Sequence, residues 1–181
     1  HMGCVANGSQ ISTRRLAANQ PDTRSHMETE CTKGCQTMLR DDSGDLDGLG
    51  QLRAMMASGR KAPMIEKLGL DLVEVERGHA VFAGTPDRSV YNPLGGVHGG
   101  YAATLLDSAC GIAVHSQLDP GRGHTTLELK VSYLRGLTEA SGTVRAVGRV
   151  TSMGRRVAFA EASLHDGAGR VCATATSTLL V

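Results

Sequence analysis

The chain has 181 residues, enough for one domain with a terminal extension. Its 19 Lys and Arg against 18 Asp and Glu leave a net charge of +1, without the basic surplus of a dedicated nucleic-acid binder. No apolar run approaches the roughly 18 residues of a membrane span, and no secretory signal is visible at the start. We therefore expect a cytoplasmic protein that binds neither nucleic acid nor membrane.

Five cysteines in a chain without an export signal predict free thiols, because their number is odd and their spacing irregular. Cys31 and Cys35 have only His26 nearby, so a zinc site there would lack a fourth ligand. We expect no bound metal and no cofactor. The cysteines are Cys4, Cys31, Cys35, Cys110 and Cys172.

Residues 1–47 differ in composition from the rest of the chain, being rich in Ser, Thr, Gln, Arg, Asn and Gly without a period of 2 or 3.6. His1-Met2 is typical of a cloning scar, and we expect part of the segment to have that origin or to reflect a mis-assigned start. Its acidic end fits a calcium loop poorly, since Ala54 stands where a bidentate Glu belongs. The sequence predicts a flexible extension over 1–47 and a domain over 48–181.

Hydrophobic spacing predicts a short amphipathic helix from Gly48 that ends by Gly59. From Leu68 the period becomes two, which predicts a strand with a bulge near Val73, and a second strand follows over 80–85.

A loop over 86–97, rich in Pro and Gly, leads into the longest helical pattern, from Gly99 to about Leu118. One long helix among about six antiparallel strands can bury its stripe of apolar residues only if the sheet wraps around the helix. We predict an α+β fold in which a curved antiparallel sheet surrounds this central helix. The last four strands are predicted over 127–134, 142–151, 157–166 and 170–180.

Gly99 and Gly100 open the long helix, where the first N–H groups lack intrahelical acceptors and favour partial negative charge. Such an N–H could stabilise a carbonyl that develops oxyanion character. A close packing contact that only glycine allows is the simpler alternative.

Asp107 lies in the middle of this apolar helix, where a carboxylate is unfavourable unless it is hydrogen-bonded or functional. A solvent-facing position or a structural hydrogen bond would also explain it. Gly99 and Asp107 are about 12 Å apart along one helix, too far to act on one carbonyl. Two antiparallel copies would bring them together, so a site that uses both must be shared between subunits.

Two further features carry polar groups. Asn92 and His98 flank the glycine pair and could hydrogen-bond a carbonyl, position a water or stabilise the loop. Gly154-Arg155-Arg156 stands at a turn between strands, where adjacent guanidinium groups suit phosphate binding and where an ordinary solvated turn is equally common.

The spacing Asn92-x5-His98-Gly99-Gly100-x6-Asp107 resembles that of hotdog-fold acyl-CoA thioesterases of the phenylacetate-pathway, PaaI-like type. The resemblance covers about 48–181 and extends to the segments 125–135 and 154–158. It implies the hotdog fold, a dimer or dimer of dimers, and an acyl-CoA substrate in which coenzyme A is no separate cofactor.

The resemblance also implies roles for individual residues. Asp107 would be the general base or the nucleophile, assisted by Ser108, and Gly99 with Gly100 would polarise the thioester carbonyl from the other subunit. Asn92 and His98 would orient the thioester or the water. The expected substrate- and coenzyme-binding residues are Arg155, Arg156, Gly154, Thr126, Leu127 and Tyr101, with Met55 and Leu106 near the acyl pocket.

We therefore predict an acyl-CoA thioesterase that acts on an aromatic or medium-chain acyl group. The alternatives are a non-catalytic acyl-CoA-binding or sensing protein, which would not need Asp107, and a hydratase or dehydratase. No Gly-x-Ser-x-Gly elbow supports a serine-hydrolase route.

Overall fold

The computed structural model describes residues 46–181. Most of the predicted extension, the three thiols Cys4, Cys31 and Cys35 and the zinc alternative lie outside the described residues. Asp47, the last residue of the predicted extension, caps the first helix, since its Oδ1 accepts a hydrogen bond from the Gly50 N–H at 2.8 Å. The ordered domain therefore begins slightly before Gly48.

The predicted amphipathic helix is present as α1, Gly48–Ala57. A second helix, α2, follows over Pro63–Lys67 and was not predicted, because five residues are too few to show a helical period. Proline is accommodated at its first turn, where the N–H that proline lacks would have had no intrahelical acceptor.

Two strands come next, β1 over Leu70–Glu76 and β2 over His79–Gly84. Their antiparallel register shifts between Leu72 and Glu74, which confirms the predicted bulge at Val73.

The predicted central helix is α3, Gly99–His115, slightly shorter at its end than the sequence indicated. His98 is its N-cap. Ten of its residues are buried, including Leu105, Leu106 and Ala109, so the helix runs through the protein interior. No helix within 46–181 combines the length and apolar character needed to cross a membrane.

The last four strands follow as β3, Thr125–Tyr133; β4, Val144–Met153; β5, Val157–His165; and β6, Val171–Leu180. All six strands form one sheet in the order β1-β2-β4-β5-β6-β3, with antiparallel neighbours throughout. Helix α3 packs against every strand of this sheet, which confirms the predicted α+β architecture of a helix wrapped by an antiparallel sheet.

Cys110 and Cys172 are buried and not disulfide-bonded, as predicted for these two positions. Burial raises the pKa of the Cys110 thiol to about 12, so the group is protonated and unreactive at neutral pH.

Candidate active site

Asp107 lies on α3 at the wall of a cavity of about 440 Å³. The opposite wall comes from α1, α2 and the segment between them. Ser108 lines the same cavity, and its assistance to Asp107 stays a prediction. The hydroxyl that contacts the carboxylate belongs to Thr126, whose Oγ1 donates to Asp107 Oδ1 at 3.0 Å. Thr126 lies beside a register shift between β3 and β6, which is a β-bulge. Bulges next to active sites commonly change the direction in which a side chain points.

Burial raises the pKa of the Asp107 carboxyl above its usual value, and the hydrogen bond from Thr126 opposes that rise. The group forms no salt bridge with any residue of 46–181 and is not fully exposed. A half-buried carboxylate with a raised pKa is a better proton acceptor than an ordinary surface aspartate.

Gly99 and Gly100 differ in what their N–H groups do. The Gly100 N–H donates to His98 Nδ1 at 2.8 Å, which is the N-cap contact of α3. Among the described residues the Gly99 N–H has no acceptor, so it is the amide available to a ligand carbonyl. Of the two predicted donors, the geometry therefore favours Gly99.

Tyr133 holds the peptide between Gly99 and Gly100 in place, next to the Gly99 N–H, a role that sequence reasoning missed. Its hydroxyl donates to the Gly99 carbonyl at 2.9 Å, and its ring lies so close that a Cβ on Gly99 would be 3.1 Å from the hydroxyl. The contact joins residues 34 positions apart, so local spacing could not reveal it.

His98 and Asn92 both make structural hydrogen bonds. Because His98 Nδ1 accepts from Gly100, a neutral imidazole would carry its proton on Nε2 and could donate from there. Asn92 Oδ1 accepts from the N–H groups of Leu94 and Gly96, at 2.9 and 3.4 Å, and so shapes the loop before α3. Their predicted contacts with the thioester or water stay predictions.

Asp107 and Gly99 do not share a cavity within one chain. Gly99 and His98 line a separate cavity of about 230 Å³ together with Tyr133, whereas Asp107 lines the larger one. The structure thus supports the sequence argument that one chain cannot bring both groups to a single carbonyl.

The Gly154-Arg155-Arg156 turn connects β4 to β5 and lies at the same end of the sheet as the start of β3. Val157 and Thr125 both pair with Leu180 of the strand between them, so about 10 Å separates these two residues.

A third arginine joins this turn, which the sequence did not indicate. Arg122 Nη2 donates to the Arg155 carbonyl at 3.1 Å, and all three guanidinium-bearing residues are exposed. The surface formed by Arg122, Arg155 and Arg156 is called the arginine cluster below.

Some predicted substrate residues lie elsewhere. Tyr101 is only 4% exposed and packs in the core with Leu106, away from the Asp107 cavity, because its position on α3 faces the sheet. Leu127 is 57% exposed beside the β3 bulge and does not line that cavity. Met55 does line it, as expected.

His124 is a cavity residue that sequence reasoning missed. It precedes β3, and burial lowers its pKa to about 4, with a further contribution from His115. A lone histidine in a turn gives no sequence signal of such a position.

Comparison with known proteins identifies the class. A family model described as the thioesterase superfamily matches residues 94–173, which contain α3 and most of the sheet. A solved protein of the thioesterase superfamily is 30% identical, with a TM-score of 0.60, covering 66% of this chain and 89% of its own. The chain therefore belongs to the thioesterase superfamily, and its class of activity is thioester hydrolysis.

Two further similarities refine the class. A variant of the phenylacetic acid degradation protein PaaI from Thermus thermophilus is 28% identical, with a TM-score of 0.60, over 66% of this chain and 98% of its own. A 1,4-dihydroxy-2-naphthoyl-CoA hydrolase of Listeria monocytogenes is 25% identical over 64% of this chain and 93% of its own. The predicted hotdog fold and PaaI-like thioester hydrolase class are confirmed.

Proposed function

We propose that this protein is an acyl-CoA thioesterase that hydrolyses an aromatic or medium-chain acyl-CoA to a carboxylic acid and free coenzyme A. The observation that carries the proposal is the half-buried Asp107 carboxylate, which has a raised pKa and lines a cavity of about 440 Å³. That volume is within the range of small-molecule sites.

Two groups are enough for this chemistry because a thioester is already an activated acyl donor. As general base, Asp107 takes a proton from water while the water oxygen attacks the carbonyl carbon, and the thiolate of coenzyme A leaves and is protonated. As nucleophile, the carboxylate itself attacks and water then cleaves the resulting anhydride. In both routes a backbone N–H stabilises the oxyanion of the tetrahedral intermediate.

The free Gly99 N–H of a second subunit is the proposed oxyanion donor. Strand β3 supports such an assembly, since it is a nine-residue strand at the open edge of the sheet. It also exposes Leu127 and Tyr133 to more than half of their maximal area. Long exposed edges of this kind favour pairing with another chain. We propose a homodimer or a dimer of dimers with shared sites.

The arginine cluster is the proposed binding surface for the coenzyme A phosphates. Guanidinium groups make charge-assisted, bidentate contacts with phosphate, and no carboxylate pairs with these arginines among the described residues. The cluster lies at the end of the sheet where Thr126 meets Asp107, so one extended ligand can contact both regions.

Three variants test the proposed roles, with hydrolysis followed as thiol release across a panel of acyl-CoAs. Asp107→Asn should lower kcat by at least a thousandfold. Gly99→Pro removes the N–H and adds a Cβ close to the Tyr133 hydroxyl, while proline suits the first helical position and His98 already has the extended backbone required before proline. We expect a loss of about a hundredfold or more, the usual effect of removing one oxyanion donor. Gly99→Ala adds a similar Cβ near Tyr133 but keeps the N–H, so it should be clearly more active than Gly99→Pro, and the difference between the two variants measures the effect of the N–H.

Mixing the inactive variants tests the shared site. If Asp107→Asn and Gly99→Pro subunits exchange freely, half of the dimers are mixed and one of the two sites in each is intact, so about a quarter of wild-type activity returns. A site built within one chain would recover none. Full activity of Asp107→Asn would refute the assignment of the carboxylate.

A further inference from the structure

The side of the Asp107 cavity opposite α3 carries charged residues. Arg60 and Lys61, in the segment between α1 and α2, line the cavity together with Asp71 of β1. Lys61 and Asp71 form an ion pair with each other. Arg60 has neither an ion pair nor a side-chain hydrogen bond among residues 46–181. This side of the cavity is therefore left with one net positive charge, on the Arg60 guanidinium.

The other polar groups of the cavity do not supply a second cation. Burial lowers the pKa of His124 to about 4, so its imidazole is neutral at pH 7. Ser108 and Thr126 bring hydroxyl groups, and Asp107 brings the carboxylate proposed to act on the thioester. The apolar lining side chains include Met55, Met56, Ile65, Leu72, Phe82 and Ile112.

Arg60 and Asp107 stand on opposite sides of this cavity. Asp107 lies on α3, whereas Arg60 belongs to the chain that faces α3 across the cavity. An acyl group whose thioester carbonyl lies at Asp107 therefore extends across the cavity with its far end towards Arg60. Arg60 is exposed, so its guanidinium is at the rim, where water can also reach it.

The chemistry of the guanidinium selects an anionic group at that far end. A carboxylate accepts two parallel, charge-assisted hydrogen bonds from one arginine. Elsewhere in the apolar cavity a carboxylate would lose its hydration without a compensating charge, and beside Asp107 it would meet a like charge. An ammonium group would instead be repelled by Arg60.

We propose that Arg60 is a specificity-determining residue that pairs with a carboxylate at the far end of the acyl group. The inference rests on the proposed function, because it requires the acyl group to occupy the Asp107 cavity. The substrate class is then mono-thioesters of dicarboxylic acids. Hydrolysis consumes one water and releases the dicarboxylic acid and free coenzyme A.

The test compares substrates in which a carboxylate replaces a terminal methyl group or a ring hydrogen. The pairs are hexanoyl-CoA with adipoyl-CoA, octanoyl-CoA with suberoyl-CoA, and benzoyl-CoA with 4-carboxybenzoyl-CoA. For at least one pair we expect wild-type kcat/KM to favour the carboxylated member by about fivefold, the effect of one well-formed exposed ion pair. Raising the ionic strength from about 0.05 M to about 0.5 M should reduce this ratio, because salt screens charges at the rim.

Two substitutions of Arg60 locate the effect. Arg60→Gln keeps a polar side chain and removes the charge, so the ratio should fall to about one or below. Arg60→Glu reverses the charge, so the uncharged member should become the better substrate. Because Arg60 is exposed and has no partner among the described residues, neither variant should shift the denaturation midpoint.

Arg53→Gln is the matched control. Arg53 is an exposed arginine of α1 that forms no ion pair within 46–181 and does not line the cavity. Its removal changes the net charge of the protein by the same amount as Arg60→Gln. The variant should therefore keep the wild-type ratio for every pair.

The outcomes separate this inference from the proposed function. Thiol release without a carboxylate preference in any pair, or with a preference that survives Arg60→Gln, overturns the inference and leaves the thioesterase assignment intact. Equal losses of kcat/KM for both members of each pair in Arg60→Gln would place the guanidinium at the coenzyme A part of the substrate and also overturn it. No thiol release from any thioester overturns both.

Discussion

At the scale of single residues, the site depends on side chains that hydrogen-bond to the residues proposed to act on the thioester. Thr126 donates to Asp107, and Tyr133 donates to the carbonyl of Gly99. Each adds one hydrogen bond to a group proposed to act on the thioester, and neither is on α3 itself. Their removal should change the catalytic parameters more than the fold.

Thr126→Val removes the contact that lowers the pKa of Asp107 and leaves the burial that raises it. The carboxylate acts only when ionised, so activity falls as the pH drops through this pKa. We expect the acidic limb of the kcat/KM profile to move to higher pH in the variant. Thr151→Val is the control, because the Thr151 hydroxyl also donates a hydrogen bond, to the Phe159 carbonyl at 3.0 Å. An unmoved acidic limb in Thr126→Val would argue against Asp107 as the titrating group.

Tyr133→Phe deletes the hydrogen bond to the Gly99 carbonyl and keeps the aromatic ring. Because the bond fixes the Gly99–Gly100 peptide, which adjoins the amide used in the transition state, kcat should fall about tenfold while KM changes little. Tyr91→Phe is the matched control, because the Tyr91 hydroxyl also hydrogen-bonds the backbone. It accepts from the Glu139 N–H at 2.7 Å. Equal losses in both variants would indicate a general structural effect.

At the scale of elements, periodicity predicted most of the fold and little of the site. Asp107 was recognisable because a carboxylate interrupts an apolar helix, and the bulge at Val73 because the alternation slips there. Tyr133 and His124 were not recognisable, since their roles arise only where β3 and its preceding turn meet α3. Sequence spacing reports the contacts within an element, and the missed contacts lie between elements.

The packing of β4 on α3 depends on a glycine. A Cβ on Gly148 would lie 2.3 Å from the Ala109 carbonyl oxygen, which is helix backbone and cannot move aside. Gly148→Ala should therefore destabilise the domain by about 3 kcal/mol, at the upper end of overpacking effects. Gly136→Ala places its Cβ in open space and should change the denaturation midpoint little. Equal midpoints for the two variants would contradict the close approach.

At the scale of the whole molecule, two histidines whose Nδ1 atoms are buried make stability depend on pH. Burial lowers the pKa of both His115 and His124 from 6.5 to about 4. The unfolded chain binds protons there that the folded chain does not, so stability is greatest above pH 6.5 and falls as the pH drops towards 4. The loss is on the order of 3 kcal/mol for His115. Chemical denaturation at about pH 7.5 and about pH 4.5 measures this loss of unfolding free energy. A smaller loss in His115→Phe than in the wild type would assign the pH dependence to His115.

The two walls of the Asp107 cavity are built differently. One is α3, enclosed by the whole sheet, and the other is the α1–α2 segment, which meets the sheet mainly at β1. Substitutions in residues 55–65 can therefore alter which acyl chains fit without disturbing the helix that carries the carboxylate. A scaffold divided in this way allows substrate range to diverge during evolution while the hydrolytic step is preserved.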